Sequence, residues 1–135
     1  MSPHKLARVA APASLIFGTA GLVAPRALAP AFGITLDPLA AAVVQMASAS
    51  YIALGVLNWF ARDLTDLAAW RAIAMSNLVG WALSAGVVVL AIVSGLGNAA
   101  SWVIVVLQVA FALAWALAYL RVTRPATQAS APAMR

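Results

Sequence analysis

Apolar residues run along this chain in long blocks that charges cut short. The charge-free runs of apolar character cover residues 9–25, 38–61 and 72–120. A helix needs about 20 residues to cross a bilayer, within a range of about 17–25. The first run is a short span and the second a full one, while the third, at 49 residues, holds two spans joined by a turn. Gly95-Leu96-Gly97-Asn98 supplies that turn, because Gly and Asn accept the left-handed backbone that closes one helix before the next opens. The pattern predicts an all-α fold, an integral membrane four-helix bundle. One membrane domain covers residues 1–121, with spans at about 6–24, 38–61, 67–94 and 99–120. Residues 122–135 are rich in Pro, Ala, Ser and Thr without periodicity, the composition of a disordered tail.

The connections carry their own signals. MSPHK is a short polar lead. Lys5 and Arg8 before an apolar stretch, with Ala27-Leu28-Ala29 after it, have the outline of a signal peptide. Arg26 between the apolar stretch and that site, and Pro30 just past it, favour a retained helix over cleavage. Residues 25–38, PRALAPAFGITLDP, are broken by Pro25, Pro30, Gly33 and Pro38 yet keep Leu28, Phe32, Ile34 and Leu36. They predict a loop or short helix packed on the mouth of the bundle. Asp37 and Pro38 suit the N-cap and first position of span two. Asp63, with Asp66 three residues on, is read as the N-cap signal of span three.

Within span two, Gln45, Ser48, Tyr51, Gly55 and Asn58 fall inside one arc of roughly 140° at 100° per residue. A membrane helix with one small-and-polar stripe has a side built for protein contact, and span three is the expected partner. Span three holds Ala72, Ser76, Gly80 and Ser84 at four-residue spacing, a small-residue ladder that suits close helix packing. Ala10, Ser14 and Gly18 in span one and Ala110, Ala114 and Ala118 in span four repeat the spacing.

Composition enforces the membrane reading. The chain of 135 residues is 65% hydrophobic and 8% charged, against about 45–50% and about 25% in soluble domains. Net charge is +5, but its placement argues against nucleic acid as the partner. Lys5, Arg8, Arg62, Arg71, Arg121, Arg124 and Arg135 share one side of the predicted bundle, and Arg26 stands alone on the other. That asymmetry puts both termini in the cytoplasm and makes Arg62, Arg71, Arg121 and Arg124 contacts for lipid headgroups. The partners expected are the lipid bilayer and, beyond it, other membrane subunits or further copies of the chain.

The candidate chemistry is narrow. The chain has no cysteine, and none of the four spans has an interior Asp, Glu, Lys, Arg or His. Ion pathways and proton relays need such residues. The single histidine, His4, lies in the N-terminal lead, so no metal site and no cofactor is expected. The intramembrane serines lack a base at their depth and are read as bonded to their own i−4 carbonyls or a neighbouring helix. Catalysis is therefore not expected; Asp63 and Asp66 beside Arg62 and Arg71 are its one conceivable location. Gln45, Tyr51, Asn58, Asn77, Trp81 and Gln108 remain as candidates for an intramembrane pocket. Asn58 lies four residues inside Arg62 and Asn77 six inside Arg71, so both sit roughly 6–9 Å from the span ends and can meet. Trp81 and Trp115 lie away from the interfaces and need partners for their N–H groups.

From Pro25 to Trp81 the features fall in a recognisable order. A proline-broken loop ending in Ala31-Phe32-Gly33-Ile34 leads to Tyr51-x3-Gly55-x2-Asn58-Trp59 and Ala61-Arg62-Asp63, then Trp70-Arg71-Ala72 and Asn77-x2-Gly80. This middle half of the chain resembles the small four-span bacterial membrane proteins loosely grouped as DoxX-like. Members of that group often carry an Arg early in the second span, where this chain has Gln45 and Ala47. The resemblance implies a multi-pass bundle in the bacterial inner (cytoplasmic) membrane and no established reaction. The function expected first is non-catalytic, an accessory or assembly component acting through helix–helix contacts. The alternative is binding or transport of a neutral hydrophobic molecule, lipid- or quinone-like, in an intramembrane pocket.

Overall fold

The computed structural model describes residues 2–123, and these form helices with no strand among them. Helix α1 spans Pro3–Val23, and a single turn, α2 (Pro25–Leu28), runs into a 3-10 turn at Ala29–Phe32. Helices α3 (Pro38–Ala61), α4 (Leu67–Val93) and α5 (Ser101–Thr123) follow. The four long helices are each apolar and long enough to cross a bilayer.

Local chemistry sets the helix ends. Ser2 Oγ accepts from Lys5 N at 3.3 Å, and Pro3 takes the first helical position, where its missing N–H costs nothing. Helix α1 thus opens inside the stretch expected as a polar lead, and His4 is helical. Its Nδ1 lies 3.0 Å from the Arg62 carbonyl oxygen, with the ring edge-on to Trp70 at 5.1 Å. Asp37 Oδ1 caps α3 through Ala40 N at 2.7 Å, and Asp66 Oδ1 caps α4 through Ala69 N at 2.6 Å. Asp63 is no cap: it pairs with Arg62 at 3.1 Å and with Arg8 at 3.8 Å on the exposed surface. At the other end of α4, Gly95 adopts φ 81°, Leu96 N donates to Ala91 O at 2.9 Å and Gly95 N to Ile92 O at 3.0 Å. This double closure is a Schellman motif. Gly33 closes the 3-10 turn the same way, at φ 72°. Helix α5 continues through Val122 and Thr123, two residues past the expected start of the tail. The rest of that tail, Arg124 included, lies outside the described residues.

The long helices pack as two close pairs, α1 with α3 and α4 with α5. Glycines make the first pair close. A Cβ on Gly18 would stand 2.7 Å from the Ser48 carbonyl oxygen, one on Gly55 would stand 2.7 Å from Leu15 Cγ, and one on Gly21 would strike Ser48 Oγ. Helices α3 and α4, though consecutive, touch sparingly. The polar stripe of α3 therefore serves two neighbours: Gln45, Ser48 and Gly55 face α1, while Tyr51 and Asn58 reach α4.

The ladder on α4 is not the packing seam expected of it. Ala72 and Ser76 are exposed, and a Cβ on Gly80 would meet only Leu54 Cδ1 at 3.9 Å. The buried face of α4 is Trp70, Ile73, Ala74, Asn77, Trp81 and Ala85. Four-residue spacing drifts slowly around a helix and selects no azimuth; the bulky and amide side chains select it here. In α1 the same spacing does fall on the buried face, at Ala10, Ser14 and Gly18.

Both ends of the bundle are latched. Asn98 Nδ2 donates to Ala31 O at 3.3 Å and Ser101 Oγ to Phe32 O at 3.5 Å, tying the α4–α5 turn to the proline-broken segment. At the opposite end, Arg71 Nη2 donates to the Val122 carbonyl at 3.4 Å, tying α4 to the end of α5. The Arg62 guanidinium lies 3.7 Å over the Trp59 ring. The start of α1, the α3–α4 connection and the end of α5 thus share one end, with Lys5, Arg8, Arg62, Arg71 and Arg121, and Arg26 lies at the other.

Candidate intramembrane pocket

The six residues proposed for a pocket separate into three groups. Gln45 stands apart: its Nε2 donates to Leu22 O at 2.9 Å, one of the carbonyls that the last turn of α1 leaves without an N–H. Asn58 and Asn77 form a reciprocal amide pair, fully buried, with Nδ2→Oδ1 distances of 3.0 and 3.1 Å. Asn77 Nδ2 also donates to its own helix at Ile73 O, 3.0 Å away. These amides satisfy each other and offer little to a ligand. They are an interhelical pin worth about 0.6 kcal/mol, up to about 1.7.

Tyr51, Trp81 and Gln108 come together on three helices and line one cavity of about 150 Å³. Gln108 Nε2 donates to Tyr51 OH at 3.2 Å and to Ser84 Oγ at 2.9 Å, and the two hydroxyls share a bond of 2.5 Å. Ser84 belongs to this triangle and not to a packing ladder. Its position at the depth of Tyr51 and Gln108 was the available signal. Trp81 lies between Phe111, stacked at 4.8 Å, and Tyr51 at 5.5 Å. Of the other serines, Ser48 donates to its own i−4 carbonyl, Val44 O, at 2.7 Å.

Several buried polar atoms lack a partner: Gln108 Oε1, Trp81 Nε1, Trp115 Nε1 and Ser14 Oγ. An unpaired buried group costs about 1–3 kcal/mol. Two of the four, on Gln108 and Trp81, belong to residues of this one cavity.

The cavity has an apolar neighbour. A cleft of about 380 Å³ opens beside it toward the proline-broken segment, lined by side chains that include Ala20, Leu28, Phe32, Leu36 and Val44. Phe17 and Ile104 line both spaces. The cleft falls within the range of about 300–1,000 Å³ usual for small-molecule pockets, and apolar walls with a few convergent polar groups are their usual composition. Among the described residues no three His, Cys, Asp or Glu gather where a metal could bind.

Fold and site together define an integral membrane four-helix bundle with a partly buried polar triangle at mid-depth beside an apolar cleft. No family model, curated protein or solved structure matches the chain.

Proposed function

We propose that this bundle binds a neutral, lipid- or quinone-like molecule, with the apolar portion in the cleft and the head in the polar cavity. One observation carries the reading: the cavity whose Gln108 and Trp81 hold unpaired polar atoms shares the walls Phe17 and Ile104 with the cleft. The test is purification of the full chain in mild detergent, followed by extraction and mass spectrometry of what travels with it. A neutral lipid or quinone at near one per chain is expected, reduced several-fold in Ala20→Trp, which fills the cleft. Protein free of any such molecule would overturn the reading.

The reading as an accessory or assembly component, in the bacterial inner membrane that the DoxX-like resemblance implies, has its own observation. Ala72 and Ser76 leave a small-residue track on the outside of α4 where another membrane helix can approach closely. The intact mass from the same preparation tests it, with an assembly that falls to one chain in Ser76→Leu as the supporting result.

A further inference from the structure

The two close helix pairs repeat one pattern. Five of the six buried residues of α1, Ala7, Ala10, Ala11, Ser14 and Gly18, fall on Trp70, Ile73, Ala74, Asn77 and Trp81 of α4 after one constant shift in numbering. A second constant shift carries Ser48, Gly55, Asn58 and Ala61 of α3 onto Val105, Ala112, Trp115 and Ala118 of α5. The same shifts, set by burial alone, bring Arg8 onto Arg71 and Tyr51 onto Gln108. Tyr51 and Gln108 are hydrogen-bonded to each other, as counterparts beside a twofold axis are placed to be. The α1–α3 hairpin and the α4–α5 hairpin are thus parallel repeats about an axis along the membrane normal, and in transporters so built the ligand site lies at the repeat interface. The cavity lies there too, with Phe17, Ser48 and Tyr51 from one hairpin and Trp81, Ile104 and Gln108 from the other.

A strict repeat would make the two seams between the hairpins alike, and they differ. Across α3 and α4, Asn58 and Asn77 exchange two hydrogen bonds and Tyr51 bonds Ser84, and the short 62–66 connection joins the same two helices. The counterparts of Asn58 and Asn77 are Trp115 on α5 and Ser14 on α1, whose buried Nε1 and Oγ have no partner. The pin is made at one seam and missing at the other. What ties the hairpins on the α1/α5 side is the latch at the Arg26 end, Asn98 to Ala31 O and Ser101 to Phe32 O at 3.3 and 3.5 Å. Both bonds are longer than the 3.0 and 3.1 Å of the asparagine pair. We infer that the α1/α5 seam opens at the Arg26 end to admit the ligand, with the Asn98 latch holding it closed and the α3/α4 seam serving as the hinge. The inference rests on the pocket reading above. The wall that must part is already divided between the two helices: Phe17 on α1 and Ile104 on α5 line both cleft and cavity. Gln108 bonds Tyr51 on α3 and Ser84 on α4, the hinge helices, so the polar triangle lies close to the hinge and is disturbed least.

The chain has no cysteine, so pairs of spin labels can be placed on the full chain in lipid nanodiscs without background. Val23 and Val103 lie on α1 and α5, and their repeat counterparts Gly86 and Met46 lie on α4 and α3; all four are exposed. Pulsed electron-spin distance measurements should give a single distance for Gly86→Cys with Met46→Cys. Val23→Cys with Val103→Cys should show a second, longer one. Asn98→Asp removes the amide donor to Ala31 O and keeps the oxygen that caps Ala100 N. One net hydrogen bond shifts a population about fivefold, so the longer distance at Val23 and Val103 should rise by about that factor while the other pair stays unmoved. A longer distance that appears only in Asn98→Asp supports the opening equally. A single distance at both pairs, in wild type and variant alike, overturns it, and so does an equal spread at the two pairs. A longer distance that Asn98→Asp leaves unchanged strikes out the latch. Where that variant fails to fold, the wild-type contrast between the two pairs decides. None of these results touches the pocket, which falls only where the purified chain carries no neutral lipid or quinone.

Discussion

At the residue scale the bundle is governed by a few amides in an otherwise apolar interior. Asn58 and Asn77 meet through two hydrogen bonds with neither amide reachable by solvent. Replacing Asn77 by leucine leaves the Asn58 amide without its partner, and replacing Asn58 leaves Asn77 with only its bond to Ile73 O, while replacing both removes donor and acceptor together. A double-mutant cycle on Asn58→Leu and Asn77→Leu should therefore show the double variant more stable than the sum of the singles predicts. The coupling should be about 0.6–1.7 kcal/mol, measured as shifts in the denaturation midpoint of the detergent-solubilised chain. Strict additivity would mean the pair contributes nothing as a pair. This contact was legible in the sequence because depth alone fixes it. Gln45 was not legible as the partner of α1, because the Leu22 carbonyl it reaches belongs to the backbone and leaves no trace in the side-chain pattern.

At the element scale, the hydropathy blocks give the four helices and say little about their rotation. A soluble helix shows its buried face by polarity, but lipid is as apolar as a leucine core, so both sides of a membrane helix look alike. The α4 ladder shows the consequence: the spacing is real, yet Ala72 and Ser76 point outward and Trp70, Asn77 and Trp81 point in. Steric room distinguishes the glycines that hold helices together from those that do not. Gly18→Ala puts a methyl 2.7 Å from the Ser48 carbonyl and 2.8 Å from the Ile52 nitrogen. Backbone cannot step aside as a side chain can, so the expected loss is about 1–3 kcal/mol. Gly80→Ala meets only Leu54 Cδ1, at an ordinary contact distance of 3.9 Å, and should be neutral or gain up to about 1 kcal/mol from helix propensity. Unfolding midpoints of the two variants in the same detergent check the contrast. A larger loss at Gly80 than at Gly18 would put the tight seam on α4 after all.

At the scale of the whole molecule, the distribution of charge sets the direction in which the chain crosses the bilayer. Lys5, Arg8, Arg62, Arg71 and Arg121 gather at one end of the bundle with only Arg26 at the other, and cations near span ends are retained on the cytoplasmic side. The cleft is walled in part by the segment that holds Arg26, at the opposite end from the cation cluster. Orientation therefore decides which leaflet would supply the proposed ligand: by the charge rule, the outer one. The absence of cysteine from the chain makes this measurable with single substitutions and a membrane-impermeant maleimide. Leu96→Cys, at 59% exposure in the α4–α5 turn, should label in intact cells. Thr65→Cys, exposed in the α3–α4 connection, should label only after the membrane is opened. The reverse pattern would turn the bundle over, place the cleft in the inner leaflet, and require the proposed ligand to reach the cavity from the cytoplasmic side.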